Sequence, residues 1–226
     1  MSRKPRALFV LTSHDDLGGV RKTGYFVDEA AHPWKVLKDA GVDVDFASIE
    51  GGNPPIDGRD ESNAEQNAFL SDPDVAPKLA DTPALEDVDP DDYDAVLFVG
   101  GHGTVWDFPH DEAVGRVGRG VWEDGGVVAA VCHGPSALIG LTLSDGTALI
   151  EGKRVAGFSN AEEEAVGLTQ VVPYLLADAL KAQGATHTEG DVFTEHVEVD
   201  GRLVTGQNPQ SATKVGEEMA RLLTSS

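Results

Sequence analysis

Three uninterrupted apolar runs, Ala7–Leu11, Ala95–Val99 and Val127–Val131, punctuate the chain. Runs of this length, edged by turn residues, predict strands buried on both faces, as in a parallel sheet. Val42–Ser48 alternates and predicts a further strand. Between these runs the period changes. Across Tyr25–Ala40, residues Val27, Ala30, Ala31, Trp34 and Leu37 fall on one helical face, with a kink or break expected at Pro33 and a stop at Gly41. His110–Asp124 predicts a helix closed by Gly125 and Gly126. Beyond the third run, Val155–Phe158 reads as a short strand. Ser159 and Asn160 cap a helical turn bearing Glu162, Glu163 and Glu164. Val172–Gln183 reads as a helix, Asp191–Val204 as a hairpin turning at Asp200-Gly201, and Ser211–Leu223 as a final amphipathic helix. Strands alternating with helices predict an α/β fold, a three-layer sandwich whose open, mostly parallel sheet carries helices on both faces. Ligand sites in such folds lie beyond the carboxyl ends of the strands.

Composition adds one exception to this regularity. From Asp57 through Asp92 there are twelve acids and two bases, Arg59 and Lys78. With the prolines of this region, that marks about 51–92 as an acidic surface excursion carrying short helices, for example around Ala64–Leu70. It lacks the apolar content for a core of its own, so the expectation is a single domain over 1–226. The run Ala7–Leu11 behind a basic N-terminus is too short for a signal-peptide core and reads as a first strand. No apolar run is long enough to span a membrane. The single cysteine permits no internal disulfide, and the expected location is cytoplasmic. The chain carries 39 acidic and 17 basic residues, a net charge of −22. Phosphate would be repelled, which argues against nucleic acid and against anionic membranes.

The chemistry concentrates at one point. The run Val127–Val131 ends in Cys132-His133-Gly134-Pro135, and a helix-compatible stretch follows. A strand, a sharp turn and a helix with the cysteine at the turn make a nucleophile elbow. A helix N-terminus behind it would favour the thiolate. Gly134 allows a tight turn, and Pro135 suits a first helical turn. A cysteine nucleophile needs a base and oxyanion donors. His133 is the adjacent base candidate, and the N–H groups of Gly101 and His133 are candidate donors. Glycines 100, 101 and 103 around His102, at another strand end, let the backbone approach a ligand and form an anion-binding nest.

Ala130-Val-Cys-His-Gly-Pro135, preceded by Gly100-Gly-His-Gly-Thr104, resembles the ThiJ/PfpI superfamily, with its flavodoxin-like, class I glutamine amidotransferase-like fold. Lys22–Pro33, Glu151–Glu163 and Asp200–Ala212 resemble the branch that holds glyoxalase III-type heat-shock chaperones. The similarity spans nearly the whole chain and is weakest over 51–90. The resemblance implies that Cys132 is the nucleophile and His133 the triad histidine. It implies that Glu29 is the acid whose protonated carboxyl meets the sulfur, and that Glu163 orients the histidine. Glu162 and Glu164 flank Glu163, so a slip of one residue exchanges them. His102, Gly101 and Gly134 fall around the substrate and oxyanion positions. The implied reaction is glutathione-independent conversion of methylglyoxal, or a similar small aldehyde, to lactate, a glyoxalase III-type lyase activity without metal or organic cofactor. The same resemblance implies a homodimer, and stress-response chaperone and deglycase activities.

Other readings remain at this level. His196-Val197-Glu198 matches the His-x-Glu of glutamine amidotransferases, and a peptidase-like hydrolase is a further alternative. An exposed, easily oxidised cysteine would suit a non-enzymatic chaperone or redox sensor. His14, His32, His110, His187 and His196 show no metal-ligand spacing. The acidic charge is spread along the chain, as expected of adaptation to high salt, where screening relieves self-repulsion. The melting temperature is therefore expected to rise between low and multimolar salt, and a flat or falling curve in thermal scans would contradict this.

Overall fold

The computed structural model describes residues 3–224; Met1 and Ser2 of the basic N-terminal stretch, and Ser225 and Ser226, lie outside it. β1 (Arg6–Leu11) leads to β2 (Tyr25–Phe26) and α1 (Val27–Asp39), then β3 (Asp43–Ser48), β4 (Ile56–Asp57), α2 (Ala64–Ser71) and α3 (Ala76–Ala80). β5 (Ala95–Phe98), α4 (Thr104–Asp107), α5 (Glu112–Glu123) and β6 (Val127–Val131) follow. A 3-10 turn, Gly134–Leu138, comes after Cys132. The last third holds β7 (Arg154–Val155), α6 (Asn160–Ala165), α7 (Leu176–Ala182), β8 (Thr186–His187), β9 (Val197–Asp200), β10 (Leu203–Gly206) and α8 (Ala212–Thr224).

The main sheet has six strands in the order β3-β1-β5-β6-β10-β9. The first five run parallel, with Phe9 opposite Phe46 and Leu97, and Ala129 opposite Leu97 and Val204. β9 is antiparallel to β10. From β1 the chain crosses through α1 to β3 on one side. From β5 it crosses through α5 to β6 on the other. Right-handed crossovers in opposite directions put the two helices on opposite faces of the sheet. α8 packs against α1, where Gly216 leaves no room for a side chain beside Pro33. The crossovers diverge between β1 and β5, and a crevice at the carboxyl ends of the strands forms at such a point.

The apolar runs are buried as expected: β5 and β6 expose none of their residues, and β1 only Arg6 in part. α1 buries Val27, Ala30, Ala31, Trp34 and Leu37. It runs without the expected break through Pro33, and α8 packs onto that position. Gly41, at φ +79°, closes α1: its N–H donates to Lys38 O, and that of Val42 to Leu37 O, the Schellman pattern.

The acidic excursion is tied in more closely than a surface loop. Phe69, Val75, Leu79, Leu85 and Val88 enter the main core. Burying a Phe of this kind stabilises the fold by about 2–3 kcal/mol. β4 pairs with β2, directly before α1. The buried Gln66 donates through Nε2 to Asp28 Oδ1 at 2.9 Å and to Gly58 O at 3.0 Å, clamping the excursion to the first turn of α1.

Four further boundaries differ from expectation. α5 begins at Glu112, because Asp111 caps it by accepting from Val114 N–H. β7 stops at Val155, since the chain must turn there to bring Phe158 to the elbow. α7 begins only at Leu176: Pro173 disfavours a helical Val172, and Leu168 and Val172 join Leu17 and Val105 in a small second core. The hairpin shrinks to Val197–Asp200 and Leu203–Gly206, and 191–196 is an irregular loop.

Candidate active site

The elbow forms where expected. β6 ends at Val131, and Cys132 adopts φ +60°, a conformation rare for a residue with a Cβ. Its N–H donates to Gly206 O at 2.9 Å, and its carbonyl accepts from Phe158 N–H at 2.8 Å. The strained backbone is thus held from both sides. A side chain on Gly134 would overlap the carbonyl oxygen of Phe98, so only glycine lets the turn pack against β5. Gly134, expected around the substrate and oxyanion positions, is thus also required for packing.

Four side chains meet at the turn. Cys132 Sγ lies 3.4 Å from His133 Nδ1. His133 Nε2 lies 2.7 Å from Glu163 Oε2, and His102 Nε2 lies 2.8 Å from Glu163 Oε1. One carboxylate therefore bridges two imidazoles, whose ring centroids are 4.0 Å apart. Burial alone would raise the pKa of Glu163, but the hydrogen bonds from His102 and His133 overcome it and bring the carboxyl down to about 2. Burial and the neighbouring His102 bring His133 down to about 4, so its neutral form is favoured. A neutral ring that gives its Nε2 proton to Glu163 leaves Nδ1 as an acceptor facing the sulfur.

The structure separates the three adjacent glutamates. Glu163 faces the histidines. Glu162 is the N3 residue of the capping box of α6: Ser159 Oγ accepts from Glu162 N–H, and Glu162 Oε2 accepts from Ser159 N–H. Glu164 is exposed.

Glu29 approaches from α1. It is fully buried, and a side chain on Gly100 would overlap both Glu29 Oε2 and Val131 O and fall 2.9 Å from Cys132 Cβ. Glycine at 100 thus lets the carboxyl reach the cysteine. The Cys132 thiol and the Gly100 N–H both act on it, but neither carboxyl oxygen has a partner at full hydrogen-bond geometry. Burial therefore dominates and holds the Glu29 pKa well above the usual carboxylate range, with Asp28 adding to the rise. Burial thus favours the protonated form of Glu29.

The surroundings of Cys132 disfavour the expected thiolate. Gly134–Leu138 is a five-residue 3-10 turn and not an α-helix. Cys132 is buried, and that burial, followed by the neighbouring Glu29, pushes the thiol pKa up; only the His133 N–H acts on the sulfur in the opposite sense. Cys132 is buried, unlike the exposed cysteine of the redox-sensor expectation. A buried thiol beside a neutral imidazole loses its proton to that imidazole when a substrate takes up the charge. Gly101 has φ +114°, and a side chain there would overlap Gly24 O, so only glycine fits against β2 at this strand end.

His102, Glu163 and His133 are also the one group among the described residues able to offer three metal ligands, with all ligand atoms within 4.8 Å. The separations of 2.7–2.8 Å are those of shared protons; ligands about 2.0–2.1 Å from one tetrahedral zinc stand further apart. His196 and Glu198 do not join the site. Both bond to Thr188 Oγ1, at 2.9 Å each.

A model of the DJ-1/PfpI family matches residues 27–222. The chain belongs to the DJ-1/PfpI family. Among its curated relatives in that family, glyoxalase 3 of Candida albicans is 34% identical over 229 residues, covering 95% of this chain and 96% of the relative. The glutathione-independent glyoxalase HSP31 of Saccharomyces cerevisiae is 34% identical over 224 residues, covering 92% and 93%. Of solved DJ-1/PfpI-like structures, the rapid encystment protein of Francisella tularensis superposes with a TM-score of 0.93 at 37% identity, covering 97% of this chain and 99% of that one. Glyoxalase III of Candida albicans superposes with a TM-score of 0.91 at 31% identity, covering 98% of both. No helix among the described residues is long and apolar enough to cross a membrane.

Two features of this DJ-1/PfpI site escaped the sequence. The bridge from His102 to Glu163 had only the glycines beside His102 as its signal. The burial of Cys132 had none, because it comes from α1 and the Phe158 turn, both distant in sequence.

The pH dependence of stability follows from the two lowered values. His133 stabilises the fold fully above about pH 6.5, and that contribution is lost as pH falls toward about 4. The contribution of Glu163 is present above about pH 4.5 and is lost as pH falls toward about 2. Chemical denaturation at stepped pH should show wild-type stability falling across both windows. Glu163→Gln should be less stable at pH 7 and flatter below pH 4.5; parallel acid limbs in the two proteins would contradict the assignment.

Proposed function

We propose that the protein is a glutathione-independent glyoxalase that converts methylglyoxal, or a similar small α-oxoaldehyde, to the 2-hydroxy acid. The observation that carries this reading is a buried carboxyl, Glu29, beside a cysteine that also meets a carboxylate-anchored imidazole; burial favours its protonated form. A hydrolase needs only the cysteine and its base. The extra acid answers a different need, moving a proton between two neighbouring carbons. Curated relatives named as glutathione-independent glyoxalases support the same reading.

The steps balance as follows. His133 Nδ1 takes the Cys132 proton as sulfur adds to the aldehyde carbon, and Glu29 gives its proton to the aldehyde oxygen. The product is a hemithioacetal, with His133 charged beside Glu163 and Glu29 ionised. Glu29 then removes the hydrogen from the carbon bonded to sulfur, while His133 protonates the neighbouring ketone oxygen, giving an enediol. Glu29 returns its proton to that neighbouring carbon and recovers one from the hydroxyl on the sulfur-bearing carbon, leaving a thioester. His133 activates water against the thioester, and the departing sulfur regains the proton. The residues perform each transfer without a cofactor.

A homodimer, deglycase and chaperone activity, and salt adaptation belong to the same proposal as expectations carried by the resemblance and the charge. The chaperone reading as the main role predicts client protection that survives loss of Cys132.

Lactate production from methylglyoxal without glutathione, measured at low and high salt, tests the reading. Wild type should produce lactate and Cys132→Ala none. Glu29→Gln should lose about 10²-fold or more in kcat with little change in KM. Wild type inert at every salt concentration, or Cys132→Ala as active as wild type, would refute it.

A further inference from the structure

We propose that Phe193 is a specificity-determining residue of this site, an aromatic rim that favours α-oxoaldehydes carrying an aryl group on the ketone carbon. The proposal rests on the glyoxalase reading for its substrate class and on separate geometry for its place. The Phe193 side chain stands in an irregular loop and the residue is 40% exposed, an unusual position for a large apolar ring. Its backbone is left-handed, at φ +55°, which residues with a Cβ seldom adopt.

That conformation is fixed from within the protein. The N–H of Phe193 donates to Glu162 Oε1 at 2.9 Å. The same oxygen accepts from Asn208 Nδ2 at 2.8 Å, and Asn208 Nδ2 also reaches Thr194 O at 2.7 Å. Glu162 is fully buried and precedes Glu163, so one helical turn fixes both the catalytic histidine pair and the Phe193 loop. A merely tolerated surface ring would not require a buried carboxylate to hold its backbone in a strained state.

The ring is the outer member of a row. Its centroid lies 6.3 Å from that of Phe158, at 48°. Phe158 is buried, 4.4 Å from His133 and 5.8 Å from His102, and its N–H holds the Cys132 carbonyl. The rings of Phe193, Phe158 and His133 thus form a row from an exposed position inward to the neighbour of Cys132. A hemithioacetal on Cys132 with an aryl substituent gains offset or edge contacts along this row. A methyl substituent has no ring face or edge to offer such contacts.

The test compares kcat/KM for phenylglyoxal and methylglyoxal in wild type, Phe193→Ala and Phe193→Asn. Asparagine tolerates the left-handed backbone, so it removes the ring while keeping the loop. Both variants should lose about 10-fold on phenylglyoxal, mainly through KM, and change by less than about 2-fold on methylglyoxal. An equal loss on both substrates, or no loss on phenylglyoxal, overturns the proposal. A second measurement needs no turnover: alkylation of Cys132 by N-phenylmaleimide and N-methylmaleimide, followed by intact mass. The phenyl-to-methyl rate ratio should fall in both variants, and an unchanged ratio overturns the role of Phe193. A wild type that turns over neither aldehyde refutes the glyoxalase reading, while the maleimide ratio still decides Phe193.

Discussion

Two acids share one dry space at the centre of this protein, and the rest of the site is arranged around that constraint. Glu29 and Cys132 are both buried, and both are pushed toward their protonated forms. Two negative charges so close together in a medium of low polarity are prohibitively costly. The neutral pair is therefore favoured, and in the proposed reaction proton movement is coupled to bond formation. The fold pays for this proximity in backbone freedom: glycine at 100, glycine at 134 and a left-handed Cys132 are each needed to bring α1, β5 and β6 together at one point.

The opposite arrangement stands on the far side of the His133 ring. Glu163 is also buried, yet it remains ionised because two imidazole N–H groups satisfy its two oxygens. Burial raises one carboxyl, and hydrogen bonding lowers the other. This contrast assigns an acid and an anchor without reference to any relative. The anchor fixes the tautomer of His133, and thereby aims an acceptor nitrogen at the sulfur. Glu162, next in sequence, takes no part in this exchange. It caps α6 and steadies the 191–195 loop, so three consecutive glutamates divide into a structural clamp, a charged anchor and a solvated surface residue.

Much of this was legible in the sequence where the signal is local. The apolar runs of β1, β5 and β6 declare a buried parallel sheet, and the abrupt change at Cys132-His133-Gly134 declares the elbow. Glu29 is different: by itself it is an ordinary acid in a first helical turn, and only the resemblance singled it out. Features that depend on distant packing were lost. Pro33 does not break its helix, and α8 packs onto it. Residues 191–196 were expected in the hairpin, but Glu162 and Asn208 hold them as a loop. The thiolate expected from a helix N-terminus is disfavoured by burial, and neither the 3-10 turn nor the closeness of Glu29 can be read from the flanking residues.

The proton on Glu29 is the element on which the account stands. An infrared difference spectrum between wild type and Glu29→Gln at neutral pH observes it directly. The account predicts a protonated-carboxyl band, shifted in heavy water, that is present in wild type and absent from the variant. A carboxylate band in its place would show Glu29 ionised at rest, and would contradict the proton economy on which the proposed reaction depends.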